Sequence, residues 1–399
     1  MARIVIVGGS FGGLTTAFEL QRQLRHAHSI ALLSNSPKFV FFPSLPWLAM
    51  GWRKPDSITV EIQKPLNKRG IDFVYGSALA IDTAAQHVVS SVGNIPYDYL
   101  VIATGSDLDY STVPGLDPAL GICSTIFTLD GALLAQSKLD AALQSGRGSI
   151  VIGSAQGASC LGPAYELIGM IDTQLRRRKK RRHFDLHFIT PEPFLGHFGI
   201  GGMGKARRLI EDEFWEREIN YQTNAALERI EPERCVLKDG TALKTDFAML
   251  APPFLGVEAV RNTPELPNPK GFIPVDQYYR STTFPNIFAV GVAIAIAPPR
   301  PTAVPVGVPK TGNMTVSMAR AAARNICKII GGRDPQPEDS LGVLCMDDMG
   351  DEAIFLRAKP VLPPRESIQH AKGRWVRWLK LGFEHYFIWK MKHGYANLP

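Results

Sequence analysis

The sequence predicts an α/β fold built on parallel strands, and three observations carry the prediction. Two apolar runs, Arg3–Val7 and Ser149–Ile152, each lead into a glycine-bearing loop that opens a helical stretch. Glycine (36 residues) and proline (30) are both abundant, as in loop-rich α/β chains. The 399 residues, 45% hydrophobic and 20% charged, suffice for two or three domains and a large core.

Arg3–Val7 is a β-branched run of the kind that forms a buried parallel strand. It enters GGSFGG (Gly8–Gly13); Leu14–Leu24 then reads as a helix and Ser29–Leu33 as a second strand. This is a Rossmann-type βαβ start, in which loop N–H groups and the helix N-terminus stabilise a pyrophosphate. Gly8 and Gly13 occupy the first and third positions of G-x-G-x-x-G, and Ser10 replaces the middle one. Where an acidic ribose ligand is usual stand Ser34 and Asn35, both able to hydrogen-bond a hydroxyl. Two later strands, within Tyr97–Ser106 and Asn286–Pro299, run into Ala-Thr-Gly and Gly291.

The second loop, GSAQGASCLGPAYE (153–166), has Gly153, Ala155 and Ala158 at its three glycine positions. Its second strand, Phe184–Ile189, is followed by Thr190 instead of an acid. Side chains at these positions crowd a phosphate, so the loop argues against a nicotinamide nucleotide. It delivers Cys160 just ahead of Pro163, the expected first residue of a helix over Ala164–Leu175. A thiol there is pushed toward thiolate by the helix dipole; a buried inert cysteine is the alternative.

Five cysteines in so long a chain do not make a disulfide framework, and no metal-ligand cluster appears. The formal net charge of +7 is carried by RRRKKRR (Arg176–Arg182), a solvated loop or a contact with anionic lipid. No aromatic residues interleave with it, which argues against nucleic acid. The longest apolar run, Ile287–Pro298, is too short to span a bilayer, and no cleavable signal peptide is expected. Near the C-terminus, Trp375, Trp378, Leu379, Tyr386 and Trp389 share one face at helical spacing, with Arg374, Arg377 and Lys380 to the other side. Such a helix suits a lipid bilayer surface; an ordinary core helix is the alternative.

The three fingerprints around Gly8, Thr104 and Gly291 together resemble those of flavoproteins with two dinucleotide-binding domains. That resemblance implies two Rossmann-like domains, the FAD domain being discontinuous: residues 1–107 and 253–335, with a second domain inserted at 108–252 and carrying Cys160. Residues 336–399 are then expected as a membrane-associating helical region at the quinone end. Longer stretches are more specific. LAMGWRK (48–54), AQGASCLGPAYE (155–166), EPFLGHFGIGGMG (192–204), VPVGVPKTGNM (304–314), CMDDMGDEAIF (345–355) and GRWVRWLKLGFEHYF (373–387) resemble the sulfide:quinone oxidoreductases.

The resemblance implies an FAD-dependent enzyme, peripheral (monotopic) on the cell membrane. It would oxidise hydrogen sulfide to sulfane sulfur or polysulfide and pass the electrons to a membrane quinone. Cys160 and Cys345 match the redox cysteine pair. Glu166 and His197 match positions near the sulfide channel and are candidates for proton handling. FAD contacts are implied for Gly8, Gly9, Ser10, Gly12, Gly13, Ser34, Asn35, Pro43, Ala78, Thr104, Gly105, Gly291, Val292, Gly307 and Lys310. Lys310 would stabilise the reduced anion. Leu344 and Phe383 match the quinone slot, and Lys380 the basic residue at its mouth. Many members have a third cysteine where this chain has Phe127, with Gly131 at the usual histidine. Cys123, four residues earlier, either substitutes for it or is unrelated, so FAD is expected to be bound non-covalently. Cys235 and Cys327 match nothing and are expected to be structural. Two other activities stay open: the flavin subunit of a flavocytochrome sulfide dehydrogenase and a single-subunit NADH:quinone dehydrogenase. Monomer and homo-oligomer are both open.

Overall fold

The computed structural model describes residues 1–338 and 340–396. Its principal elements begin with β1 (Arg3–Val7), α1 (Phe11–Leu24), β2 (Ser29–Ser34), β3 (Asp72–Tyr75) and β4 (Tyr99–Ile102). There follow β5 (Gly148–Ser154), α2 (Gly162–Arg177), β6 (Phe184–Ile189), α3 (Ala206–Glu216), β7 (Asn220–Gln222) and β8 (Phe247–Ala251). The last are β9 (Ile287–Ala289), α4 (Gly312–Ile330), β10 (Val343–Asp348), β11 (Ala353–Lys359), β12 (Ser367–Gly373) and α5 (Arg374–His393).

Two parallel sheets form, in the orders β9-β4-β1-β2-β3 and β7-β6-β5-β8. The first takes β9 from beyond the second in sequence. Ile4 to Val7 of β1 and Ile150 to Ile152 of β5 are all buried, as strands covered on both faces must be. α1 starts at Phe11, three residues before the expected Leu14, so Gly12 and Gly13 are already helical. Close approach explains their presence: a Cβ on Gly13 would strike the Gly8 carbonyl, and one on Gly8 (φ +116°) the Ala103 carbonyl. Ser10 has an ordinary extended backbone (φ −112°) as the N-cap, so this position does not demand glycine.

The region after residue 335 is not only helical. A three-stranded antiparallel sheet, β10-β11-β12, precedes α5. The polar, largely exposed β12 carries no apolar alternation that would have announced it. On α5, Val376, Lys380, Glu384, Phe387 and Met391 face inward. Trp375 and Trp378 face outward, 56% and 72% exposed, beside Leu379 and Trp389. Lys380 lies on the side opposite Trp375 and Trp378, as expected, but buried there: it is 4% exposed and paired with Glu166. Arg53 and Ser44 hold Glu384 (2.8 and 2.6 Å), and Arg377 holds Asp348 (3.1 Å). The Phe387 ring packs 5.3 Å from Phe11 and 5.8 Å from Phe41, tying α5 to the first sheet's loop. Among the described residues no helix is long and apolar enough to cross a membrane.

Candidate active site

The loop after β1 fits a dinucleotide pyrophosphate. Glycines line it where side chains would clash, and α1 opens with neither a side-chain cap nor an acidic residue in its first turn. Its first N–H groups are thus free of the usual competitors for an anion. Asn35 is exposed at the end of β2, whereas the Ser34 hydroxyl is engaged with the backbone of Ser36. Thr104 and Gly105 (φ +75°) follow β4, and Gly291 and Val292 turn the chain after β9. Pro43 lies in a single turn at Phe42–Ser44, and Ala78 begins a peripheral strand at Ala78–Asp82. Lys310 donates to the Ile294 carbonyl (2.8 Å) and sits 4.3 Å from the Phe272 ring centre. Burial lowers its pKa to about 8, which still leaves it mainly charged at neutral pH.

The second loop is filled by the chain itself. The N–H groups of Ala155 and Gly157 donate to the carbonyls of Ala251 (2.9 Å) and Pro305 (2.6 Å). Gly307 donates to Ala158 (2.9 Å), so the strap 304–307 lies where a second nucleotide's phosphates would approach. Gly307 is required there: a Cβ on it would come within 2.6 Å of the Ser159 Cβ. With these N–H donors satisfied internally, the loop does not offer the cradle that a nicotinamide dinucleotide needs.

The start of α2 abuts β10. A Cβ on Gly162 would lie 3.2 Å from Asp347 Oδ1, and the Asp348 N–H donates to Glu166 (2.7 Å). This contact brings Cys160 and Cys345 together from 185 positions apart in sequence. Both thiols are free and only partly exposed. Burial, then the carboxylates of Asp347 and Glu166, push Cys160 up to about 12. Burial, then Asp347, Cys160 and Glu166, push Cys345 up as well. The expected thiolate at the helix N-terminus is thereby corrected. Cys160 precedes the N-cap Leu161, Pro163 is the second helical residue, and desolvation beside two acids outweighs the dipole.

Sequence reading missed Asp347 and Glu192. Asp347 is buried on β10 two positions after Cys345, hence on the same face; burial and then the Glu166 charge raise its pKa to about 8. Glu166 is itself raised by burial, although Lys380 pairs with it. Glu192, fully buried, accepts from Tyr165 (2.5 Å), Thr190 (2.7 Å) and the Phe198 N–H (2.6 Å); burial brings its pKa to about 7. It thus shapes the turn that carries His197. There, Nδ1 accepts from the Gly199 N–H (3.2 Å), which leaves Nε2 as the protonated nitrogen of a ring kept neutral by burial.

Leu344 lines a cavity of about 510 Å³ with Asn313, Ser317, Phe355 and Arg357. Phe383 instead joins the aromatic group of Phe41 (6.1 Å) and Phe387 (4.7 Å). Cys123 is not brought to the pair. It is fully buried in the core against the second sheet, with Val151, Cys235 and Leu250. Phe127 packs edge-on to Phe254 at 6.2 Å.

Comparison with known proteins matches residues 2–323 to the pyridine nucleotide-disulphide oxidoreductase family. The sulfide-quinone reductase of Aquifex aeolicus is 40% identical over 398 residues, 98% of this chain and 91% of that protein. The crystal structure of the sulfide:quinone oxidoreductase from that bacterium superposes with a TM-score of 0.94, at 39% identity, covering 99% of this chain and 92% of its own. An NADH dehydrogenase-like protein of Mycobacterium tuberculosis is 27% identical over 73% of this chain and 72% of its own.

Proposed function

The chain belongs to the sulfide:quinone oxidoreductases within the pyridine nucleotide-disulphide oxidoreductase family, and from that membership we propose how its own residues work. It is an FAD-dependent oxidoreductase that oxidises sulfide with quinone as acceptor. The FAD domain comprises 1–107 and 253–335, the inserted domain 108–252, and 336–399 forms the quinone and membrane end. Cys160 and Cys345 are the redox pair. The observation that carries this assignment is their convergence at the junction of α2 and β10, beside two buried acids, Asp347 and Glu166.

When the pair is bridged, hydrosulfide attacks one sulfur, the S–S bond breaks and the other cysteine leaves as thiolate. The attacked cysteine carries the new persulfide, and two electrons now reside on the protein. FAD, when bound, supplies the two-electron store between thiols and quinone. A second hydrosulfide takes the outer sulfur away as hydrodisulfide and leaves two thiols; their raised pKa values keep them protonated at neutral pH, so two protons must leave with the two electrons before the bridge re-forms. Glu166, paired with Lys380, receives them, since Asp347 with a pKa of about 8 is already mostly protonated at neutral pH; His197, neutral with its proton on Nε2, is the donor for an incoming sulfur. Leu344 lines the quinone slot, while Phe383 packs beside it in the aromatic group of Phe41 and Phe387 and Lys380 is held inward by Glu166. FAD is held without a covalent bond, since Cys123 sits in a core.

Two expected results test the reading. Anaerobic sulfide should bleach the flavin absorbance and decyl-ubiquinone restore it, while NADH leaves it unchanged. Rapid bleaching by NADH would contradict the strap-filled second loop.

We propose that the enzyme sits peripherally on a membrane, a reading that the outward aromatic face of α5 supports. Trp375→Ser with Trp378→Ser should weaken binding to vesicles on the order of 100-fold or more, as each large side chain contributes about 1.5–3 kcal/mol when removed from water. Sulfide-driven bleaching should persist. Truncation is a poorer test, because β12 pairs with β11 and the inner face of α5 packs into the core. A double variant that pellets with vesicles like the parent would refute the placement.

A further inference from the structure

The basic run Arg176–Arg182 has no part in the chemistry above, and its surroundings set it beside α5. Asp172 takes up Arg176 (2.9 Å) and Arg181 (2.7 Å), along with Arg217 (3.1 Å). Arg177, Arg178, Lys179 and Arg182 remain exposed, and none of them has a carboxylate partner among the described residues. Arg177 is directed by the Gly350 carbonyl (2.9 Å) onto the ring of Trp52, 6.0 Å from its centre. Arg377 of α5 approaches the same ring at 5.7 Å. Trp52 therefore joins the end of α2 to the first turns of α5, where Arg374, Trp375 and Trp378 are exposed.

We infer that the basic turn 177–182 and the aromatic face of α5 form one continuous docking surface for a bilayer containing anionic phospholipid. This rests on the membrane reading of α5. Aromatic rings enter the headgroup boundary, while unpaired cations beside them meet lipid phosphates instead of solvent. The charge balance is positive: Asp172, Asp348 and Asp351 are already paired with Arg176, Arg181, Arg217 and Arg377, which leaves exposed Asp185 and Glu218 against the four exposed cations. Anionic lipid near such a surface contributes about 1 kcal/mol per basic residue.

The experiment uses the FAD-loaded protein and two sets of vesicles, phosphatidylcholine alone and phosphatidylcholine with phosphatidylglycerol. The parent should prefer the anionic vesicles, and salt should weaken that preference. Arg178→Gln, Lys179→Gln and Arg182→Gln together should cut binding to anionic vesicles on the order of 100-fold, the equivalent of three charges. Binding to neutral vesicles and sulfide-driven bleaching should be unchanged. A triple variant with the parental preference would overturn the inference, as would equal binding of the parent to both vesicle types. A parent that binds neither would overturn the membrane reading itself.

Discussion

Cys160→Ala and Cys345→Ala should each abolish flavin reduction by sulfide, a loss on the order of 10³-fold or more, while FAD stays bound. A two-electron disulfide needs both sulfurs, and removing an essential nucleophile costs nearly the whole rate. Neither cysteine belongs to the loop after β1, so the cradle is untouched. Each is only partly enclosed, and trimming one sulfur costs about 1 kcal/mol of stability. The readouts are the anaerobic bleaching rate and the flavin-to-protein absorbance ratio. Wild-type bleaching in either variant would show that sulfide reaches the flavin without the pair. Loss of FAD would show that the cysteines support the fold instead.

Four of the first sheet's five strands were legible because they are apolar runs, three of them ending near glycine; β3, short and only partly buried, carried no such signal. β1 has the predicted bounds, and β2 extends its prediction by one residue, to Ser34. The glycine loops were legible for the same reason, down to the degenerate second one, although only the structure shows the strap 304–307 that fills it. The redox pair came from matching motifs; no local pattern announces that residues 160 and 345 meet. Chemistry set by burial was not legible. Cys160 reads as a thiol at a helix N-terminus, but the acids that hold its proton lie on α2 and β10. Asp347 was hidden because β10 was not recognised as a strand; once it is, the alternation 343, 345, 347 puts it beside Cys345. The helical pattern put Lys380 on the side away from the tryptophans, but not its burial: the carboxylate of Glu166 and the ring of Trp47 hold it inward, and both lie far off in sequence.

That inward pair carries the second large effect. Lys380→Met should lower stability by about 3–5 kcal/mol, because it leaves Glu166 buried without its cation. The double variant Glu166→Gln with Lys380→Met removes both charges, and the amide can still accept from the Asp348 N–H. Most of the lost stability should return, since a buried pair contributes little net energy but much cost when broken. Turnover should not return. Quinone reduction consumes two protons, and Glu166 connects the acids around the thiols to Lys380 on α5. With neither group able to carry a proton, sulfide-to-quinone turnover should fall on the order of 10²-fold. Anaerobic bleaching should be slowed less, because Asp347 remains near the pair. Thermal melts and the two rates separate the roles. A double variant that melts and turns over like the parent would make the pair a structural tie only. One that stays as unstable as Lys380→Met would show that the cation packs against Trp47 for reasons beyond Glu166, since its Nζ lies 5.0 Å from that ring.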